Sequence, residues 1–391
     1  MVKTIKTKNL VIGSGPGGIT IANSLSRNNQ EVLMIEEGKY FKEFSNSICD
    51  SFNNLWKNNG ITPVFGDKNL VLGQGKCVGG GSTINAGLIW KTPEFILQQW
   101  KKNYNNSFFE NFDYYYNEIK KKLDISENSN LHKSNSHTER ILCGAKKLNW
   151  SYVPTPQYKN NLNIKKNTFG GSSNSLVYNY LKEFENNNGQ LISNLRLEKI
   201  ILNMNQIDRV LCYDYIKKEF IEIISDFFFF CCGSIQTPHI LKKNNLIHQN
   251  LETKFHSNLR FLTIFDEKIK SNEDSFASHE INEFQEDGLM IIPSDYSLKY
   301  ISTAISSFSN SSIKKFLDHV EYGGLYVAQI RLKSKIKIKS LGFLKEPLLT
   351  HYLSNEDKEL IRFSIDKIIN LLFESGAKEV YLPFSDNNIV E

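Results

Sequence analysis

The stretch Asn9-Leu10-Val11-Ile12-Gly13-Ser14-Gly15-Pro16-Gly17-Gly18 decides the fold. Asn9 to Ile12 is a short apolar run of the kind that forms a buried parallel strand. It leads directly into a G-x-G-x-x-G turn, Gly13 to Gly18. Residues 19–27 then predict a helix, and Glu31-Val32-Leu33-Met34-Ile35-Glu36 predicts a second strand. A glycine pattern of this kind is weak alone and gains force inside a βαβ unit. In that unit Gly13 makes the tight turn, Gly15 lets a pyrophosphate approach, and Gly18 permits close helix–strand packing. Ser14 and Gly17 complete the loop, and the helix start offers free N–H groups to phosphate. The expected class is therefore α/β, with a Rossmann-like domain at the N-terminus.

Glu36 lies 23 residues after Gly13, at the end of the second strand. A carboxylate there accepts hydrogen bonds from ribose hydroxyls. It would also repel a 2′-phosphate, which disfavours NADP. This segment leaves FAD and NAD both open.

A second glycine-rich segment follows about sixty residues on: Gly75-Lys76-Cys77-Val78-Gly79-Gly80-Gly81-Ser82-Thr83-Ile84-Asn85-Ala86-Gly87. Glycines without Cβ allow backbone to lie close against a flat, polar ligand. Asn85 adds an amide donor and acceptor at a fixed place. A third segment, Cys232-Gly233-Ser234-Ile235-Gln236-Thr237-Pro238, follows the apolar run Phe227 to Cys232. There the expectation is a buried strand ending at Gly233, with Thr237 as N-cap and Pro238 at the first helical position. Before it, residues 209–216 and 221–224 predict an antiparallel hairpin.

Together, Gly13 to Gly18, Glu36-Glu37-Gly38, Gly75 to Asn85 and Cys232 to Pro238 resemble the glucose–methanol–choline (GMC) oxidoreductases over about 240 residues. The resemblance implies an FAD enzyme that oxidises a CH–OH group by hydride transfer to the flavin. It implies a Rossmann-like FAD domain and a second, antiparallel-sheet substrate domain interleaved with it in sequence. The expected boundaries are 1–100 and 171–245 for the FAD domain, and 101–170 and 246–391 for the substrate domain. It further implies that Gly79, Gly80, Ser82 and Asn85 line the flavin ring, that Gly233 approaches the cofactor, and that the backbone at Leu197 meets adenine. Ile84 stands where some members carry a covalently tethering histidine, so FAD is expected to be non-covalent. In the family a catalytic histidine and its partner follow the last helix, here residues 355–375. None of the eight histidines occupies that place. No catalytic residue is therefore assigned. The chain is expected to be C-terminally incomplete, with the missing part absent or supplied by a separate chain. A non-catalytic FAD-binding protein and an NAD-dependent oxidoreductase are the alternatives.

Composition narrows the partners. Over 391 residues, 47 basic and 42 acidic side chains leave a net charge of +5, and they are interspersed. That disfavours a nucleic-acid partner. The six cysteines form no C-x-x-C pair, which argues against a zinc site and for a reducing compartment. No apolar run approaches the roughly 20 residues of a membrane span. With the first strand starting by about Lys8, a cytoplasmic protein acting on a small-molecule alcohol is expected. Residues 261–265, 325–330 and 335–338 predict strands of the second domain, and residues 111–123 a helix.

Overall fold

A computed structural model describes residues 2–391 except 46, 68–69, 86, 105–108, 128–135, 159–175, 270–277, 297, 307, 343 and 385–387. The chain folds as two compact units, each built from three stretches of sequence. The first comprises Met1–Ala86, Asn167–Thr253 and Lys335–Tyr352; the second comprises Gly87–Lys166, Lys254–Ser334 and Leu353–Glu391. The division differs from the expected boundaries. Residues 87–100 belong to the second unit, whereas 246–253 and 335–352 belong to the first. The expected boundary at 170 lies outside the described residues.

In the first unit, the strand predicted from Asn9 to Ile12 is the end of a longer one, β1 (Lys3–Ile12). It pairs in parallel with β2 (Val32–Ile35) on one side and β11 (Glu219–Phe230) on the other. Beyond β2 lies β8 (Gln190–Ile192), and beyond β11 lie the antiparallel β10 (Gln206–Asp214) and β9 (Leu195–Asn203). Successive residues of β1 and β2 serve opposite faces. Leu10, Ile12, Leu33 and Ile35 pack with Leu195, Leu197, Val210 and Ile223. Val11, Val32 and Met34 pack instead with Ile19 and Ala22 of α1 (Pro16–Arg27) and with Leu181 and Phe184 of α7 (Leu176–Asn186). Burial on both faces is why these strands read as unbroken apolar runs.

The hairpin and the phenylalanine strand expected around Gly233 share one element. β11 runs unbroken from Glu219 to Phe230, pairing antiparallel with β10 and parallel with β1. Its phenylalanines are less buried than expected, with Phe227 55% exposed. Helix α8 (Gly233–Lys243) starts four residues before the predicted cap, and Pro238 lies inside it. The Thr237 hydroxyl reaches back to accept the Cys232 N–H at 2.9 Å. Thr237 thus ties down the helix start from within rather than capping it.

A smaller sheet orders β12 (Leu251–Thr253), β17 (Ile336–Lys339), β18 (Leu348–His351), β3 (Thr62–Gly66) and β4 (Leu70–Leu72). The run 335–338, expected in the second domain, therefore serves the first unit, because β17 and β18 fill the place between β12 and β3. Helices α2 (Ile48–Leu55) and α3 (Gly81–Ile84) complete this unit among the described residues.

The second unit is centred on an antiparallel sheet. Its order is β20 (Ile389–Val390), β19 (Ala377–Tyr381), β13 (Ser257–Phe265), β16 (Gly323–Ile330), β15 (Leu289–Pro293), β14 (His279–Ile281) and β6 (Tyr152–Pro154). One face, with Phe261, Ile281, Ile291, Tyr326 and Ala328, packs on α6 (Ser136–Lys147) and α11 (Asn355–Glu374). The helix expected over residues 355–375 is α11; Ser354 caps it, accepting the Asp357 N–H at 3.1 Å, and Gly376 at φ +91° follows it. On the other face, Leu262, Leu325 and Tyr381 pack on α9 (Leu298–Ile305) and α10 (Asn310–Leu317). The remaining elements are α4 (Glu94–Asn103), α5 (Phe112–Lys122) and the pair β5 (Ile125–Ser126) with β7 (Gln157–Tyr158). Among the described residues, no helix is long and apolar enough to cross a membrane.

Candidate functional site

Three of the sequence motifs meet at one buried hydroxyl in the first unit. Ser14 Oγ donates to Glu36 Oε2 at 2.7 Å and accepts the Gly79 N–H at 3.1 Å. The Ser14 N–H also donates to Glu36 Oε2 at 3.0 Å, and the Gly38 N–H donates to Oε1 at 2.9 Å. Residues 65 positions apart are thereby clasped at the carboxyl ends of β1 and β2. The backbone reinforces the clasp: Gly13 N–H donates to Ile35 O at 2.8 Å, and Val78 N–H to Lys39 O at 2.9 Å.

The glycines divide by what surrounds them. Gly13, at φ +99°, would push a Cβ to 2.5 Å from Cys231 O, and Gly18 would push one to 1.9 Å from Gly13 O. Both positions are closed by packing, as the turn and the helix–strand contact require. Gly15, Gly17 and Gly233 are the reverse case, since a Cβ there meets nothing within 4 Å. Gly15 and Gly233 follow neighbouring strand ends, for Ile12 of β1 pairs with Phe230 of β11. Gly80, at φ +51°, lies against Gly15, whose Cα would be 3.3 Å from an added Cβ. The open side of this junction is therefore formed by backbone alone, at the carboxyl ends of parallel strands and the start of α1. That is where open α/β sheets bind their ligands.

The carboxylates at the end of β2 differ in role. Glu36 is buried, and burial pushes its carboxyl above the ordinary range against the three donors from Gly38 and Ser14. Those donors fill three of its roughly four acceptor positions, leaving one for a ligand. Burial would also raise Glu37, but Lys57, Arg196 and Lys76 outweigh it and hold that carboxyl below the ordinary range. Lys57 pairs with Glu37 at 3.3 Å and Glu346 at 3.0 Å, while Arg196 reaches both at 3.5 Å. This network was not legible in the sequence, because its members, from Glu37 to Glu346, are spread along most of the chain.

Comparison with known proteins fixes the lineage. The GMC oxidoreductase family profile matches residues 52–259, more than half of the chain. The chain belongs to the GMC oxidoreductase family. It is 23% identical over 393 residues to an uncharacterized GMC-type oxidoreductase of Sinorhizobium fredii, covering 95% of this chain and 75% of that one. It is 21% identical over 398 residues to the long-chain-alcohol oxidase FAO1 of Arabidopsis thaliana, covering 95% and 52%. The chain thus spans about half the length of the plant relative. Among solved structures, pyridoxine 4-oxidase from Mesorbium loti superposes with a TM-score of 0.71 at 13% identity, covering 97% of this chain and 84% of that one. A formate oxidase gives 0.69 at 12% identity, covering 96% and 82%.

This GMC oxidoreductase chain brings Gly13, Ser14, Gly15, Gly18, Glu36, Gly79 and Gly80 into direct contact, with Gly17 on the same turn. Gly233 joins them through Cys231, whose N–H donates to Ile12 O at 2.7 Å. Leu197 sits further out on β9, its side chain buried in the core. The backbone of β9 nonetheless starts at the junction, where Leu195 N–H donates to Glu36 O at 2.8 Å. Ser82 is turned inward, its hydroxyl donating to Gly79 O at 2.9 Å, so it braces the glycine turn. Asn85 is exposed at the end of α3.

No described histidine joins the junction through its ring. His239 packs in α8 with Nε2 at 3.1 Å from Lys345 O. His137 is buried in the second unit beside the rings of Tyr296 and Tyr326, with no hydrogen-bond partner for either ring nitrogen among the described residues, and burial lowers its pKa to about 4. His132 lies outside the described residues. No group of three or more His, Cys, Asp or Glu among the described residues is placed to hold a metal.

Proposed function

We propose that this chain binds FAD and serves in the two-electron oxidation of the CH–OH group of an apolar alcohol. The observation that carries this reading is the clasp at Ser14, with the open positions Gly15 and Gly233 beside it. Gly13 to Gly18 and the start of α1 would hold the pyrophosphate, since backbone N–H groups there favour an anion. The free acceptor position of Glu36 would take a ribose hydroxyl, and the β9 backbone near Leu197 would face adenine. Gly79, Gly80 and Asn85 would lie along the ring system, with Ser82 holding their turn. The first unit is assigned to the cofactor and the second to the substrate.

The bound flavin would supply the hydride acceptor. The alcohol's proton needs a base, a role typically worth about 10²- to 10⁴-fold in rate; we assign none. Attachment is taken to be non-covalent. Ile84 offers no nucleophile, and burial pushes the Cys77 thiol up to about 12, far from a reactive thiolate. The likeness to a long-chain-alcohol oxidase supports an apolar donor.

The test is the visible spectrum of the purified protein with two glycine variants. The wild type is expected to carry stoichiometric flavin. Gly15→Val, whose side chain enters open space, is expected to fold normally and lose the flavin. Gly18→Ala, which drives a Cβ into Gly13 O, is expected to fail at folding. A colourless wild type that binds NAD would overturn the reading, as would stoichiometric flavin in Gly15→Val.

A further inference from the structure

A charged cluster in the first unit borders both elements assigned to the adenosine end of the cofactor. Glu37 directly follows Glu36, and Arg196 directly precedes Leu197. Backbone bonds lace these elements together. Glu36 N–H donates to Ile192 O at 3.0 Å, Leu195 N–H to Glu36 O at 2.8 Å, and Asn194 N–H to Gly38 O at 3.0 Å. Beside that lacing, Arg196 Nη1 donates to Glu37 Oε1 at 3.5 Å. The half-buried guanidinium also meets Glu198 at 3.6 Å and Glu346 at 3.5 Å, and its Nη2 donates to Lys345 O at 3.1 Å.

The other cofactor motifs contribute members of their own. Lys76, in the Gly75 to Asn85 segment, lies 3.4 Å from Glu37. Gln236, in the Cys232 to Pro238 segment, donates to Glu346 Oε2 at 2.8 Å. Lys57 bridges Glu37 and Glu346. The stretch 344–346 is fastened to α8 as well, since Lys345 O is 3.1 Å from His239 Nε2 and Leu344 O accepts from Lys243 Nζ at 3.2 Å. Among the described residues, the cations Lys57, Lys76 and Arg196 face the carboxylates Glu37, Glu198 and Glu346, three against three. A balanced cluster has no excess charge with which to hold a phosphate. What it can do is fix geometry, because a planar guanidinium with five donors sets several acceptors at defined angles.

We propose that Arg196 is a positioning residue for the adenosine of the cofactor. It pins the Glu36–Gly38 turn to the start of β9. That keeps the Gly38 N–H on Glu36 Oε1 and the remaining acceptor position of Glu36 turned to the ribose. Through Glu346 it also sets the stretch 344–346, which leads into β18, against the same place. Removing the guanidinium leaves Glu37 neutralised by Lys57 and Lys76, so the fold survives while the side-chain link to β9 is cut. The proposal rests on the FAD reading and adds to it a residue that acts through Glu37 rather than on the cofactor itself.

FAD affinity and flavin midpoint potential, measured on the full chain, test it together. Arg196→Met is expected to bind FAD about ten- to a hundredfold more weakly than the wild type, the range of one charge-assisted hydrogen bond. At saturating FAD the variant should keep the wild-type potential and visible spectrum, because the change acts at the adenosine end. Arg196→Lys should recover part of the affinity, since an ammonium restores the charge without the fork. Circular dichroism confirms that each variant is folded. If Arg196→Met is not, Lys57→Met, which removes a cation from the same two carboxylates, takes its place with the same expected loss. Undiminished FAD affinity, no recovery in Arg196→Lys, or a shifted potential overturns the proposal. A wild type without flavin overturns the FAD reading too, whereas flavin held equally by wild type and variant overturns this proposal alone.

Discussion

Ser14 shows how one small side chain organises a site. A hydroxyl both donates and accepts, so it joins Glu36 to Gly79 where an alanine would leave a buried carboxylate oxygen and N–H short of partners. Glu280 makes the complementary point in the second unit. Its carboxyl titrates near 7 in the fold and near 4.5 when exposed. Below about pH 4.5 both states are protonated and stability is complete. As pH rises from there to about 7 the unfolded chain releases its proton first, so stability falls, by about 3 kcal/mol in all. Glu280→Gln removes this loss. Urea unfolding at about pH 4.5 and about pH 8 is expected to show the variant gaining on the wild type at the higher pH. An identical pH dependence in the two proteins would refute the assignment.

At the scale of elements, β11 and α8 decide the geometry around Gly233. β11 is one strand serving two ladders, and the chain turns from it into α8 within two residues. Pro238 removes one helical hydrogen bond and crowds the carbonyl four residues earlier. The Thr237 hydroxyl compensates by holding the Cys232 N–H at the helix start. Thr237→Val keeps the shape and removes the acceptor, which is expected to cost about 1–2 kcal/mol in urea unfolding. If stability is unchanged, that bond does not hold the start of the helix. Thr237-Pro238 reads in sequence as a cap followed by a first helical residue. The true start is set by the end of β11, which no local signal marks.

For the whole molecule, the interleaving of the units makes each dependent on distant sequence. A fragment of residues 1–253 contains every glycine motif and all six strands of the Rossmann-like sheet. It lacks β17 and β18, leaving β12 and the β3–β4 hairpin without the strands between them. A two-stranded hairpin has little stability alone. The fragment is therefore expected to unfold without a cooperative transition, and adding residues 335–391 as a separate chain should improve it only in part. A sharp two-state transition for 1–253 alone would show that the smaller sheet is dispensable.

Sequence by itself determined the βαβ start, the sites of the glycine turns, the antiparallel character of the second sheet and the C-terminal helix. Each has a local cause: a period of apolar residues, a glycine where no Cβ fits, or acidic residues in a first turn with a glycine after the last, as at Glu356, Asp357 and Gly376. Those same motifs pointed to the family. Tertiary structure alone decided that Ser14 joins Glu36 to Gly79. It also assigned 335–352 to the first unit. These follow from pairings between residues tens to hundreds of positions apart. Such contacts form only when the hydrophobic burial of whole elements outweighs the entropy of closing the chain between them, and they leave no periodic trace in the sequence.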